Sequence, residues 1–99
     1  MPDDTRILLL FFSSARSGPS RRMESLLAHI ARKERHRLRV VQLDVDERSD
    51  VAAKLGVLAA PTLVLVRENK LIARMEGRAS APRIEEMLER HLGEAVAVA

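Results

Sequence analysis

Two serines spaced three apart, Ser17 and Ser20, stand in the segment Arg16-Ser17-Gly18-Pro19-Ser20. A serine hydroxyl attacks a carbonyl or phosphoryl centre only when a positioned base takes its proton. The sequence offers three imidazoles for that task, His29, His36 and His91, all well downstream and none in evident relation to Ser17. A plainer role fits better. Serine at a helix N-cap accepts a first-turn N–H, and proline suits the first turn, where its missing N–H is no loss. A third use would be anion binding, with helix-start N–H groups and Arg16, Arg21 and Arg22 holding phosphate or carboxylate. Solvated surface arginines are the preferred reading there.

What the chain excludes is clearer. None of its 99 residues is cysteine. Disulfides, thiolate nucleophiles and cysteine metal sites are therefore out of reach. The histidines show no metal-ligand spacing, and Met23, Met75 and Met87 occupy core-like positions that need no cofactor. No metal or cofactor is expected.

The net charge of +3 is unevenly spread, with nine Arg or Lys against four Asp or Glu in residues 1–39. Residues 40–99 carry eight against ten. The run Arg32, Lys33, Arg35, His36, Arg37, Arg39 invites a nucleic-acid reading. Glu34 interrupts it, and the two aromatic residues, Phe11 and Phe12, sit in an apolar run rather than among the cations. Stacking platforms are missing, so a nucleic-acid partner is not expected. Cations at a helix end, favoured by the helix dipole, are the preferred account. The apolar run at residues 7–12 is too short to span a bilayer and follows Asp3 and Asp4 instead of positive charge. A cytoplasmic protein with no membrane partner is expected.

The elements that must position the serines follow from periodicity. The unbroken apolar run Ile7-Leu8-Leu9-Leu10-Phe11-Phe12 predicts a central strand buried on both faces. A loop leads to Pro19, which opens a helix with Met23, Leu26, Leu27 and Ile30 on one face. Residues 39–45 alternate, with Val41, Leu43 and Val45 on one side. Ser49 or Asp50 is expected to cap a short helix that Gly56 closes. Residues 62–66 and 71–75 form a hairpin about Glu68-Asn69-Lys70. Ser80 caps a last helix with Ile84, Met87, Leu88 and Leu92 inward, and Gly93 is expected to end it. The result is one α/β domain over residues 1–99, with its core at about 6–92 and a tail at 93–99.

This order, with Arg16-Ser17-Gly18-Pro19-Ser20 before a long helix, Leu43-Asp44-Val45-Asp46, Leu55-Gly56-Val57 and Ala60-Pro61-Thr62, resembles the thioredoxin family. The resemblance covers about residues 6–92 and implies a thioredoxin-like fold, a four-stranded mixed sheet flanked by helices. It implies a cis peptide bond before Pro61 and a glycine after the last strand at Gly77. The family's Cys-Gly-Pro-Cys is here Ser17-Gly18-Pro19-Ser20, and its tryptophan is Arg16. Its buried aspartate falls at Phe11 and its nearby lysine at Gln42. The family's opening strand and helix have no counterpart. The strand at 39–45 is thus expected at the sheet edge, with open backbone groups.

Loss of both cysteines together with the supporting acid and lysine suggests a sequence that has left redox chemistry, with no catalytic residue in the degenerate motif. The leading expectation is a non-redox module that binds a protein or peptide through Arg16, Ser17, Gly18, Pro19, Ala60, Pro61 and Thr62. A purely architectural role for Pro61 weighs equally at this point. Two alternatives stand beside it. One is a redox family member by descent, whose cysteines were lost or mutated. The other is a structural homodimer through the edge strand from Val40 to Val45.

Overall fold

A computed structural model describes residues 6–97, with side chains described through residue 92. The elements are β1 (Ile7–Ser13), α1 (Gly18–Lys33), β2 (Leu38–Asp44), α2 (Ser49–Lys54), β3 (Thr62–Arg67), β4 (Lys70–Glu76) and α3 (Ala81–Ala97). They form a four-stranded sheet in the order β2-β1-β3-β4. β1 and β2 are parallel, while β3 is antiparallel to both β1 and β4.

β1 is central, and its side chains alternate between two cores. Ile7, Leu9 and Phe11 join Met23, Leu27 and Ile30 of α1 and Ile84, Met87, Leu88 and Leu92 of α3. Leu10 and Phe12 join Ala52 of α2, Val57 and Val64 on the opposite face. The apolar run is unbroken because each face of this strand meets a different helix layer. On β2 the two faces differ. Leu38 and Val40 meet the α1/α3 core, whereas Val41 and Leu43 pack partly against the α2 core.

The local chemistry explains most boundaries. α2 ends in a paired bond pattern, Gly56 N–H to the Ala53 carbonyl at 3.1 Å and Val57 N–H to the Ala52 carbonyl at 2.8 Å. That closure needs a left-handed residue, and Gly56 has φ +70°. The β3–β4 hairpin turns through Glu68 and Asn69, both at positive φ, as a two-residue loop between right-twisted strands requires. Ser80 caps α3, its hydroxyl accepting the Arg83 N–H at 3.5 Å.

Two expectations change. Neither Ser49 nor Asp50 caps α2. Both lie inside or at the start of the helix, and Arg48 holds the N-cap position without a side-chain capping bond. The anchoring falls one turn earlier, where the Asp44 carboxylate accepts the Asp46 and Glu47 N–H groups at 2.7 and 3.2 Å. Nor does α3 stop at Gly93; it runs on to Ala97. One helical glycine costs about 1 kcal/mol, which the alanines and glutamate around it do not turn into a stop. The rest of the tail lies outside the described residues.

The two-faced burial of β1 sets a stability test. Leu9 is fully buried at its centre, and Leu58 is 92% exposed. Leu9→Ala is expected to lower unfolding free energy by about 2–5 kcal/mol in urea titrations. Leu58→Ala is expected to stay within about 0.5 kcal/mol of wild type.

Candidate functional site

The register brings three separate pieces of sequence to one end of the sheet. Thr62 opens β3 directly opposite Phe12 of β1. Ser13 closes β1 beside Asp44 of β2. Thr62 also pairs with Glu76 at the end of β4. The turn after β1, the loop before β3 and the end of β4 therefore share one rim. This is where the carboxyl ends of the parallel strands lie, a common position for ligand sites in open α/β sheets.

The turn is a chain of serine hydrogen bonds. Ser17 is the N-cap of α1, and its hydroxyl accepts the Ser20 N–H at 3.1 Å. Ser20 is fully buried, and its hydroxyl accepts the Ser14 N–H at 3.4 Å. The Ser14 hydroxyl in turn accepts the Arg16 N–H at 3.2 Å, and the Ser14 carbonyl accepts the Ser17 N–H at 3.0 Å. Sequence reasoning singled out Ser17 and Ser20 but not Ser14. Spacing gave no signal for it, because Ser14 lies in the turn before α1, where no fixed period relates it to Ser20.

This network bears on the two chemical readings of the turn. No histidine or carboxylate hydrogen-bonds to Ser17 or Ser20 among the described residues. His29 lies in α1 twelve residues beyond Ser17, about 18 Å along the helix axis. His36 follows α1 at the opposite end of β2, and His91 lies on α3. The structure thus brings no base to the serines. The anion reading keeps few backbone donors. Pro19 has no N–H, the Ser20 N–H is held by Ser17, and the Arg21 N–H goes to the Ser17 carbonyl at 3.2 Å. Arg16, Arg21 and Arg22 are exposed.

Behind the turn, Phe11 is buried in the α1/α3 core, at the position the resemblance assigns to a buried acid. Gln42 sits beside it in register, and its amide donates to the Ser13 hydroxyl at 3.0 Å. A ring and a neutral amide stand where the resemblance implies an acid and a lysine. Nothing there can move a proton to or from position 17 or 20.

The loop before β3 is the second wall. The Ala60–Pro61 peptide bond is cis. The Pro61 carbonyl accepts the Gly77 N–H at 2.8 Å, and the Thr62 hydroxyl donates to the Ala59 carbonyl at 2.7 Å. Pro61 and Thr62 are buried, and Ala60 is half-buried. Among the described residues, no group takes up the Ala60 N–H or its carbonyl. Just before it, Leu58 is the most exposed large apolar side chain of the described chain. Leu58 went unnoticed at the sequence level, because burial of a single leucine in a loop has no periodic signature.

The cap and the helix start give two measurable consequences. Ser17→Ala is expected to cost about 1 kcal/mol of stability through loss of the Ser20 N–H acceptor. In a Ser17→Cys variant the thiol is expected to ionise below the ordinary value of about 8.5, because the helix start favours negative charge. The pH profile of iodoacetamide alkylation measures this. A profile centred at or above the ordinary value would show that the helix start has no such effect.

Comparison with known proteins agrees with the geometry. The sequence model of the thioredoxin family matches residues 2–90. The chain is 26% identical to a thioredoxin of Bacillus subtilis over 86 residues, 87% of this chain and 83% of that one. It is 31% identical over 88 residues to a thioredoxin-like protein of Synechocystis sp., covering 89% of this chain and 81% of that one. Among solved structures, the germline-specific thioredoxin Deadhead of Drosophila melanogaster superposes with a TM-score of 0.84 at 27% identity, over 89% of this chain and 83% of that one. Fold, register and sequence converge: the chain belongs to the thioredoxin family, and it does so without a cysteine.

Proposed function

We propose that this protein is a thioredoxin-family module that holds an extended peptide and carries out no dithiol–disulfide exchange. The observation that carries the reading is Ala60. It is half-buried and next to the cis Ala60–Pro61 bond, its N–H and carbonyl free among the described residues, on the rim that also carries the Arg16–Ser20 turn. An extended peptide can satisfy a free N–H and carbonyl on one residue as a neighbouring strand would. Leu58 and Ala59 offer apolar surface beside that residue, and Arg16 adds an exposed cation on the facing turn. The partner surface is therefore Arg16, Ser17, Gly18 and Pro19 on one side and Ala60, Pro61 and Thr62 on the other.

The absence of exchange chemistry follows from composition alone. Disulfide exchange proceeds through attack of a thiolate on sulfur, and this chain supplies no sulfur nucleophile. A hydroxyl cannot substitute, because without a base it stays protonated. Compared with a thiol motif, the serine turn keeps the helix start and its capping but removes the reactive atom. Binding and reaction are separable here, since the peptide contacts use backbone groups.

The test has two arms. The protein is expected to leave insulin disulfides intact in the presence of dithiothreitol, no faster than buffer; clear turnover would refute the first half. Immobilised protein panned against a random-peptide library is expected to select extended sequences. Ala60→Glu and Leu58→Asp, each checked for wild-type circular dichroism, are expected to weaken a selected peptide at least roughly tenfold by calorimetry, about 1.4 kcal/mol. Equal affinity in both variants would place the peptide elsewhere and overturn the groove.

A further inference from the structure

β2 lies at one edge of the sheet, with β1 on one side and no strand on the other among the described residues. The ladder fixes which of its backbone groups are open. The Ile7 N–H donates to the Arg37 carbonyl and the Val45 N–H to the Ser13 carbonyl. In a parallel ladder the same strand alternates residue by residue. Arg39, Val41 and Leu43 therefore bond to β1, while Val40, Gln42 and Asp44 aim their N–H groups outward. The Leu38, Val40 and Gln42 carbonyls aim outward with them. Val40, Val41 and Leu43 are half-buried, so the edge is apolar enough to gain from being covered.

Charge says what covers it. Arg35, His36, Arg37 and Arg39 stand at the start of β2, and Asp44, Asp46 and Glu47 stand at its end. A strand laid antiparallel on this edge meets complementary charge at both ends only if it carries the same polarity. A second copy of β2 does. The parallel arrangement would put like charges together, which costs free energy.

We propose that two copies of this chain associate through β2, antiparallel, about a twofold axis at Val41. In that register Val40 and Gln42 exchange both backbone bonds with the partner's Gln42 and Val40. The Asp44 N–H reaches the partner's Leu38 carbonyl. Val41 packs on its symmetry mate as a non-hydrogen-bonded pair, the closer kind of cross-strand contact. The basic turn before β2, which carries Arg35 and His36, lies toward the end of the partner's β2 that leads into its acidic turn. A shift of one residue would turn one copy's side chains to the wrong face, so the register moves only in steps of two. The contact is isologous, closes on itself and joins two sheets into one. It uses the edge farthest in strand order from β4, and it stands or falls independently of the peptide groove.

Sedimentation equilibrium and amide exchange test it on the full chain. Wild type is expected to shift from monomer to dimer with rising concentration and to dissociate as salt is added, because the flanking pairs are solvent-screened. Exchange of the Val40 and Gln42 amides is expected to slow on dimerisation, while the Val41 and Leu43 amides, already bonded to β1, stay protected throughout. The double variant Arg35→Glu/Arg39→Glu and the double variant Asp46→Lys/Glu47→Lys are each expected to associate at least roughly tenfold more weakly. An equimolar mixture of the two should recover association as a heterodimer. Both variants change exposed residues, and wild-type thermal unfolding confirms that they fold. A monomer at millimolar concentration overturns the proposal. So does a dimer indifferent to either double variant, or one whose Val40 and Gln42 amides stay unprotected.

Discussion

The structure depends on keeping β1 dry on both faces. A strand in the middle of a four-stranded sheet presents side chains to two sides at once, and every polar group placed there must find a partner or pay for desolvation. This chain meets the demand with an unbroken apolar run. Leu9 and Phe11 need α1 and α3, and Leu10 and Phe12 need α2 and Val57. The helices are therefore not decoration on the sheet. Each exists at its place because one face of β1 would otherwise stand in water. Once β1 is clamped, its end is fixed, and with it the position of the turn that begins at Ser14.

At that turn the side chains are taken up by the fold's own hydrogen bonds. The helix start needs an acceptor for its first-turn N–H, and a serine at position 17 provides it as well as any residue does. Position 20 is buried, and its hydroxyl finds the Ser14 N–H. No buried side-chain oxygen or nitrogen is left without a partner among the described residues. Phe11 goes further in the same direction. A buried acid beside the turn would have to be held against desolvation, whereas a phenyl ring there adds to the core. The site is thus relaxed: hydroxyls bonded to backbone, a ring in the core, an amide bonded to Ser13. Each of these groups is already bonded or packed, and none is a thiol.

The opposite situation holds at the rim and at the β2 edge. There, among the described residues, backbone groups stay open, at Ala60 beside the cis bond and along the outer side of β2. Both are places where strand pairing with another chain can satisfy what the fold itself does not. They differ in surroundings. The rim is flanked by Arg16 and the apolar Leu58, whereas β2 is flanked by opposite charges at its two ends. Such polarity favours a partner that runs the other way, which is why the two sites are expected to accept different occupants.

The sequence by itself determined the elements and their order. Apolar periodicity gave β1, α1 and α3 their buried faces, glycine at position 56 marked a helix end, and serines at positions 17 and 80 marked helix starts, because these signals are local. The missing thiol was equally plain from the residues alone, and it excludes thiol–disulfide exchange. Failures of the reading were local signals outvoted by neighbours. Ser49 and Asp50 look like caps, but Asp44 anchors that turn from within β2. Gly93 looks like a stop, but good helix formers surround it. Only the tertiary structure decided what meets what. It set Thr62 against Phe12 and so put the turn and the proline loop on one rim, left Leu58 exposed, and turned the N–H groups of Val40, Gln42 and Asp44 away from β1. Those facts depend on strand pairing across thirty residues and more of sequence, and no local pattern encodes the partner of a strand.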